Sequence, residues 1–115
     1  MDATHLFAGL AVSDFKAACD WYERPLGAPP DFVPREGEAV WHAASSTSVY
    51  VTVDRTRAGN GLVTVAVRNL DAQRADLARR DLLVEESAER NGMRTLIATD
   101  PDGNAIKFFE DPSSP

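Results

Sequence analysis

Histidine and cysteine, two residue types that often act as catalysts or metal ligands, are scarce in this sequence. The 115 residues include only two histidines, His5 and His42, and one cysteine, Cys19. A single cysteine cannot form an intrachain disulfide and cannot build a cysteine-rich metal site. A serine nucleophile would need a sharp strand-to-helix turn with a histidine nearby, and the sequence contains no nucleophile-elbow pattern. Disulfide frameworks, thiolate metal sites and serine hydrolysis are therefore poor interpretations.

Each of these three residues has an ordinary interpretation beside the chemical one. We expect His5 to be an exposed histidine near a frayed terminus. Its alternative role is that of a ligand, because it shares strand parity with Phe7 and lies about 6.6 Å behind it. His42 falls between apolar neighbours in a predicted strand, and the pattern does not say which face it takes. Cys19 lies on the apolar stripe of a predicted helix, where a thiol is inert.

Composition and charge narrow the class of protein. Twelve basic and eighteen acidic residues give a net charge of -6, which is the wrong sign for binding a nucleic-acid backbone. Hydrophobic residues make up 43% and charged residues 26%, as in an ordinary globular domain. The longest apolar runs have the length of strands, and no export signal is visible. Together with the single thiol, these features predict a cytoplasmic protein without a membrane span.

The first half of the chain predicts one helix among four strands. The residues from Leu6 to Val12 form a short apolar run typical of a covered strand. Asp14 is suited to cap a helix that begins at Phe15, and Gly27 ends the helical pattern. Three extended segments follow, over residues 31–34, 39–44 and 48–54. The unit is therefore βαβββ.

The second half repeats this order of elements. A strand is predicted over residues 62–67, Asn69 takes the place of Asp14, and a helix runs from Leu70 to about residue 81. Strands follow over residues 82–85, 93–99 and 105–110. We therefore predict a single α+β domain over residues 1–115. It has tandem βαβββ modules at about 1–56 and 60–112 and a short frayed tail at 113–115.

Side-chain alternation divides each main strand into two sets of residues. One set is uniformly aliphatic or aromatic, as packing beneath a helix requires. The other set mixes small, polar and aromatic groups, which is typical of the wall of a small-molecule pocket. This second set includes Phe7, Tyr50, Leu62, Thr64, Lys107 and Phe109. The pattern predicts curved mixed sheets around a cavity, with the helices on the outside.

Two segments carry a resemblance to a known family. The first is Gly9-Leu10-Ala11-Val12-Ser13-Asp14-Phe15, and the second is Asp100-Pro101-Asp102-Gly103-Asn104 with the apolar alternation after it. Both resemble the vicinal oxygen chelate superfamily, which includes glyoxalase I, extradiol dioxygenases and bleomycin-resistance proteins. The resemblance covers nearly the whole chain and implies one domain of that type. It implies a fold more firmly than a function.

The resemblance also indicates where a catalytic metal would be held. Metal-dependent members place His, Gln or Glu ligands at four equivalent strand positions. In this sequence those positions are Phe7, Tyr50, Leu62 and Lys107. Phe and Leu have no lone pair to donate, a neutral Tyr is a weak ligand, and an ammonium must first lose a proton. We therefore predict no metal and no other cofactor.

The resemblance and the cavity pattern together predict a metal-free protein that binds a partly aromatic small molecule, similar to bleomycin-resistance proteins. Members of that branch form homodimers with two clefts, and we expect a homodimer here. The predicted ligand-binding residues combine aromatic, apolar and hydrogen-bonding side chains: Phe7, Trp41, Tyr50, Leu62, Thr64, Lys107 and Phe109.

Two other functions stay open at this point. The first is an isomerase, lyase or cyclase of the same superfamily in which Lys107 and Tyr50 are the acid and the base. A metal-dependent member is a further version of this alternative. The second is an interaction module with a closed cavity, which would expose an apolar surface in place of a pocket.

Overall fold

The computed structural model describes residues 1–88 and 91–111, so the predicted tail at 113–115 lies outside the described residues. Among the described helices, none is long and apolar enough to span a membrane. The elements in chain order are β1 (Leu6–Val12), α1 (Phe15–Leu26), β2 (Phe32–Arg35), β3 (Glu38–Ala44), β4 (Thr47–Val53), β5 (Leu62–Val67), α2 (Leu70–Arg79), β6 (Glu85–Ala88), β7 (Arg94–Thr99) and β8 (Ala105–Glu110).

The strands form two mixed sheets of four strands with the same topology. The order is β1-β4-β3-β2 in the first sheet and β5-β8-β7-β6 in the second. In each sheet the first pair is parallel and the other pairs are antiparallel. The predicted α+β fold with two tandem βαβββ modules is confirmed.

Both helices begin with the same capping interaction. The side chain of Asp14 accepts a hydrogen bond from the backbone N–H of Ala17 at 2.9 Å. Asn69 accepts one from the N–H of Ala72 at the same distance, 2.9 Å. Each contact satisfies one of the backbone donors that the first turn of a helix leaves unpaired. Helix α1 ends at Leu26 and is capped by Gly27, whose φ of 85° lies in the left-handed region that glycine adopts without strain.

One predicted strand was placed wrongly. The apolar residues at 82–85 predicted a strand there, whereas β6 begins at Glu85 and ends at Ala88. Leu82 is only 8% exposed and Val84 packs against the core, so these residues anchor the connection between α2 and β6. Their apolar character reflects this anchoring and not strand pairing.

The helix sides of both sheets contribute to one hydrophobic core. Its buried members from strands are Leu10, Val12, Ala39, Trp41, Val49, Val51, Leu96, Ala98, Ile106 and Phe108. The helices add Ala18, Trp21, Tyr22, Leu70 and Leu77 to the same cluster. We call the opposite side of each sheet its free face. The division of the strands into two faces therefore follows the predicted alternation.

The turn from Asp100 to Asn104 ties the second module to the first. The Tyr22 hydroxyl donates a hydrogen bond to Asp100 at 2.8 Å, and both groups are buried. The Asn104 side chain donates to the carbonyl oxygen of Ala11 at 2.7 Å. Asp102 accepts from the backbone N–H of Ser13 at 3.0 Å and from its hydroxyl at 2.6 Å. These contacts fix the end of β1 and the start of α1 against the second sheet.

Candidate functional site

The free face of the first sheet brings four aromatic and aliphatic side chains together. The strand register pairs Val40 with both Phe32 and Tyr50, so their side chains share this face. Phe7 lies on the neighbouring strand β1, and its ring centroid is 6.5 Å from that of Tyr50 in an edge-on arrangement. Phe7 and Phe32 remain 53% and 45% exposed. Large aromatic side chains left this exposed on one face are typical of a binding surface.

These side chains line an open groove of about 510 Å³, which we call the aromatic groove. Its walls are Phe7, Phe32, Pro34, Arg35, Glu38, Val40 and Tyr50. The Arg35 and Glu38 side chains form an ion pair with each other at the edge of this surface. The groove therefore has an apolar floor with one charge pair beside it, a composition typical of ligand sites.

Tyr50 separates the aromatic groove from a second, more polar cleft. This cleft has a volume of about 300 Å³ and is lined by Gly9, Ala11, Tyr50, Thr52, Asp54, Arg57, Asn60 and Gly61. The Tyr50 ring lies directly over Gly9, its partner in the strand register. A Cβ atom at position 9 would collide with that ring. Glycine at position 9 therefore allows Tyr50 to lie across β1 and to form a wall of both cavities.

Both histidines lie on this same free face. His42 pairs with Ser48 in the register of β3 and β4, which settles the face that the sequence left open. The Ser48 hydroxyl is hydrogen-bonded to His42 Nδ1 and to His5 Nε2, each at 2.9 Å. Sequence analysis did not identify Ser48 as a site residue. The only available signal was its strand parity with Tyr50, because the two histidines are distant from each other in the chain.

The free face of the second sheet carries the other predicted ligand residues. Thr64 pairs with Lys107 in the register of β5 and β8, and Phe109 follows on the same side. Leu62 is 65% exposed, whereas Lys107 and Phe109 are half-buried. Lys107 and Tyr50, the predicted acid and base, therefore lie on the free faces of different sheets. The structure thus divides the predicted ligand residues other than Trp41 between two surfaces.

Trp41 lies on the helix side of the first sheet and not on its free face. It is 2% exposed, and its indole N–H donates to the carbonyl oxygen of Ala28 at 2.7 Å. Its ring centroid lies 6.1 Å from that of Tyr22 in the core. Trp41 therefore cannot stack on a ligand that lies against Phe7 and Tyr50. The sequence analysis included Trp41 among the ligand residues as an aromatic side chain whose strand face the pattern did not assign.

The four positions that the resemblance indicates for a catalytic metal do not suit one here. Phe7 and Leu62 are exposed hydrocarbons, Tyr50 packs over Gly9, and Lys107 carries an ammonium group. These side chains do not form a divalent-metal donor set. Within residues 1–88 and 91–111, no three His, Cys, Asp or Glu side chains converge as a metal site would require.

Two other titratable side chains, Cys19 and Tyr22, have a raised pKa. Desolvation raises the pKa of the Cys19 thiol, with smaller contributions from the nearby Asp20 and Glu23 carboxylates. A raised pKa favours the protonated thiol, which is the less nucleophilic form. Burial also raises the pKa of the Tyr22 phenol, and its hydrogen bond to Asp100 acts in the same direction. Tyr22 is therefore a structural hydrogen-bond donor.

Comparisons with known proteins agree with this architecture. The family model of the Glyoxalase/Bleomycin resistance protein/Dioxygenase superfamily matches residues 4–108. A glyoxalase / bleomycin resistance protein from Catenulispora acidiphila DSM 44928 has 39% sequence identity and a TM-score of 0.88, with coverage of 96% of this chain and 100% of that chain. The search of curated proteins found no match.

Two more distant structures share the fold. A bleomycin-binding protein complexed with bleomycin is 15% identical with a TM-score of 0.74, covering 96% of this chain and 99% of that chain. A lactoylglutathione lyase from Agrobacterium tumefaciens is 16% identical with a TM-score of 0.74, covering 96% of this chain and 94% of that chain. Because the family model spans nearly the full chain and the duplicated topology agrees with it, this protein belongs to the glyoxalase/bleomycin resistance protein/dioxygenase superfamily.

Proposed function

We propose that this protein binds a partly aromatic small molecule in the aromatic groove, without a metal ion. One observation carries the proposal: Phe7, Phe32 and Tyr50 border an open groove of about 510 Å³. Phe7 and Phe32 each leave about half of their surface in water. A flat ligand ring would remove that surface from water, at about 25 cal/mol per Å² of apolar area buried, and would stack on the rings.

We propose binding without a metal because the side chains at the four family positions are poor metal ligands. The four family positions offer two hydrocarbon side chains, a phenol and an ammonium group, as described above. None of these groups competes with histidine or carboxylate for a divalent ion. The structure of the bleomycin-binding protein, which has the same fold, contains bound bleomycin. We propose that the present chain likewise acts by binding its compound.

We further propose that two copies form a homodimer in which the free face of the second sheet covers the aromatic groove of the other copy. Leu62 is 65% exposed on that face, and half-buried Phe109 lies on it too. A twofold dimer would create two such covered clefts. The predicted ligand residues that one chain divides between two surfaces would then meet. The cytoplasm is the proposed location, since its reducing conditions suit a lone thiol such as Cys19.

Thermal denaturation of the purified protein tests ligand binding. A ligand that binds only the native state raises the melting temperature, because it adds about 2.7 kcal/mol to the free energy of unfolding when its concentration is 100 times the Kd. We expect a rise with bleomycin or another aromatic antibiotic, and none with Zn²⁺, Ni²⁺ or Mn²⁺. The variant Phe7→Ala should lose about a third of the rise, as a fivefold weaker affinity requires at that ligand concentration. Val33→Ala is the matched control, because Val33 is 52% exposed on β2 but is not part of the groove.

Two outcomes contradict the proposal. A shift with a divalent metal and none with any aromatic compound would show that a metal site exists where we find no donor set. Conversion of the bound compound, measured by chromatography, would show that the protein is a catalyst and not only a binding protein.

The dimer has a separate test: light scattering during size-exclusion chromatography should give about twice the chain mass of 12.5 kDa.

A further inference from the structure

The two histidines of the chain meet on one buried hydroxyl group. His5 Nε2 and His42 Nδ1 are each 2.9 Å from Ser48 Oγ. Ser48 is completely buried, whereas both imidazoles are exposed. In the part of the chain that the structure describes, the hydroxyl forms no third hydrogen bond. The three side chains, which we call the His-Ser-His cluster, come from β3, β4 and the residue before β1.

The chemistry of the hydroxyl group determines how the imidazoles are protonated. A serine hydroxyl has one proton to donate and two lone pairs to accept with. Because Ser48 is buried, its proton must go to one of the two ring nitrogens. We call the nitrogen that faces Ser48 the inner nitrogen of each ring, His5 Nε2 or His42 Nδ1, and the other nitrogen the outer one. The ring that accepts the serine proton, when neutral, carries its own N–H on the outer nitrogen. The other ring donates its inner N–H to the serine oxygen, so its outer nitrogen keeps a lone pair.

The neutral cluster therefore presents one hydrogen-bond donor and one acceptor on its outer side. This holds whichever histidine takes which role, because reversing the serine proton exchanges the two roles together. A pair of unconnected histidines would have no such constraint, since each ring would choose its tautomer independently. The shared hydroxyl thus makes the two outer nitrogens complementary to each other.

The cluster continues the wall of the aromatic groove. The His5 ring centroid is 4.4 Å from that of Phe7, and the His42 centroid is 5.8 Å from that of Phe32. Both phenylalanines line the groove. The two imidazole centroids are 6.5 Å apart. A ring bound against Phe7 and Phe32 would therefore have the two imidazoles beside it.

We propose that the His-Ser-His cluster recognises a carboxamide, or a similar group with adjacent donor and acceptor atoms, on an aromatic ligand. The proposal rests on the proposed function, because it names the class of compound that the aromatic groove takes. The oxygen and nitrogen of an amide are about 2.3 Å apart, and two hydrogen bonds of about 2.9 Å extend its reach to about 8 Å. This reach is comparable to the 6.5 Å between the imidazole centroids, so an amide has the size to lie between the two rings.

Other polar groups complement the cluster less well. A carboxylate has only acceptor atoms, so one of its oxygens would face the outer lone pair of an imidazole. An ester has an acceptor but no donor, which leaves that imidazole lone pair without a partner. An amide alone among these three satisfies both outer nitrogens. The cluster therefore predicts an order of affinity among compounds that share one ring system.

Fluorescence titration with three naphthalene compounds tests this order. The probes are 2-naphthamide, methyl 2-naphthoate and 2-naphthoate, which share the ring and differ in the polar group. We expect 2-naphthamide to bind about tenfold more tightly than the other two. In Ser48→Ala the preference should fall to about one, while methyl 2-naphthoate keeps its affinity. Ser45→Ala is the control, because Ser45 is an exposed serine of the same hairpin.

Equal affinities of the amide and the ester for the wild-type protein would overturn the recognition site and leave the aromatic groove standing. Tighter binding of 2-naphthoate would also overturn it, because charge attraction would then outweigh donor-acceptor matching. Failure of all three compounds to bind would contradict the proposed function itself. The two proposals can therefore fail separately.

A second measurement does not depend on the folding of Ser48→Ala. Nitrogen-15 NMR of the wild-type imidazoles in their neutral form reports which nitrogen of each ring is protonated. We expect one ring protonated on its inner nitrogen and the other on its outer nitrogen. Two rings that are both protonated on their outer nitrogens would contradict the shared hydroxyl, because its single proton cannot satisfy two acceptors.

Discussion

The parallel strand pair has the same topology in both modules, but its free face carries different side chains in each. At the equivalent position of the parallel strand pair, the first sheet pairs Gly9 with Tyr50 and the second pairs Thr64 with Lys107. Glycine lets the tyrosine ring lie over β1, whereas a threonine carries a Cβ branch at that place. The first sheet thus gains an aromatic wall, and the second presents a half-buried ammonium side chain. The helix sides of both sheets, by contrast, contribute the same kind of aliphatic core.

This difference separates what the duplicated fold requires from what one module has acquired. Asp14 and Asn69 cap the two helices in the same way, because any helix of this type needs its first donors satisfied. The free faces carry no such requirement for folding. Their residues can therefore diverge, and the groove and the His-Ser-His cluster are both found on the first sheet.

The largest expected effect concerns the turns at the ends of β3 and β7. Asp100 accepts hydrogen bonds from the backbone of Asp102, Gly103 and Asn104 and from the Tyr22 hydroxyl, whereas Ser45 begins an exposed turn. Asp100→Ala leaves these donors without their acceptor, so we expect the free energy of unfolding to fall by about 3–5 kcal/mol. Ser45→Ala should change it by less than about 0.5 kcal/mol. Urea denaturation of both variants measures the contrast, and equal effects would contradict it.

The next prediction concerns Tyr22, whose place in the second helix is taken by Leu77. Tyr22→Phe removes one buried hydrogen bond and should cost about 1–2 kcal/mol at neutral pH. Burial and the hydrogen bond to Asp100 raise the pKa of Tyr22 in the folded protein above the usual phenol value of about 10. Its contribution to stability is therefore present below about pH 10 and is lost as the pH rises further. Wild-type stability should therefore fall above pH 10, and Tyr22→Phe should show less of this fall. Urea midpoints between pH 7 and 11 measure it. An identical decline in both proteins would assign the alkaline loss to other groups.

A third change makes the first sheet resemble the second. Gly9→Ala places a Cβ atom where the Tyr50 ring lies, so the ring must turn away from β1. We expect the affinity for an aromatic probe such as 2-naphthamide to fall about tenfold, which corresponds to about 1.4 kcal/mol. Gly92→Ala is a control for added volume, because no atom lies within 4 Å of a Cβ there, although its φ of 82° adds local strain. Unchanged affinity in Gly9→Ala would show that the position of Tyr50 does not matter for binding.

The smallest effect distinguishes two exposed residues at equivalent positions, Phe7 on β1 and Leu62 on β5. Phe7→Ala should weaken binding of the probe about fivefold, because one wall of the groove is lost. Leu62→Ala should instead raise the dissociation constant of the proposed dimer about fivefold, since it removes apolar surface from that interface. Probe titration and sedimentation at a series of protein concentrations separate the two effects. Identical profiles for both variants would mean that the two faces have the same role.

Much of the architecture could be predicted from local patterns. The alternation in strands such as 62–67 and the capping residues Asp14 and Asn69 each depend on a few neighbouring residues. The strand expected at 82–85 was wrong because Leu82 and Val84 are apolar for a tertiary reason. Periodicity alone does not distinguish a paired strand from a connection anchored in the core.

The candidate site was only partly predictable for a related reason. Alternation placed Phe7 and Tyr50 on one face, and the structure gives them a ring contact. It could not assign His42 and Trp41, because the face of a strand follows from its register with a neighbour. The pairing of β3 with β4 puts His42 opposite Ser48 and leaves Trp41 in the core.

By itself, the sequence determined the duplicated βαβββ order, the helix boundaries and the two faces of most strands, because these depend on contacts within a few residues. The tertiary structure decided which free-face residues share a surface. The parallel pairing of β1 with β4 joins segments separated by a helix and two strands, and it brings His5 and Phe7 beside Ser48. Such contacts depend on register between distant strands, which no local pattern encodes.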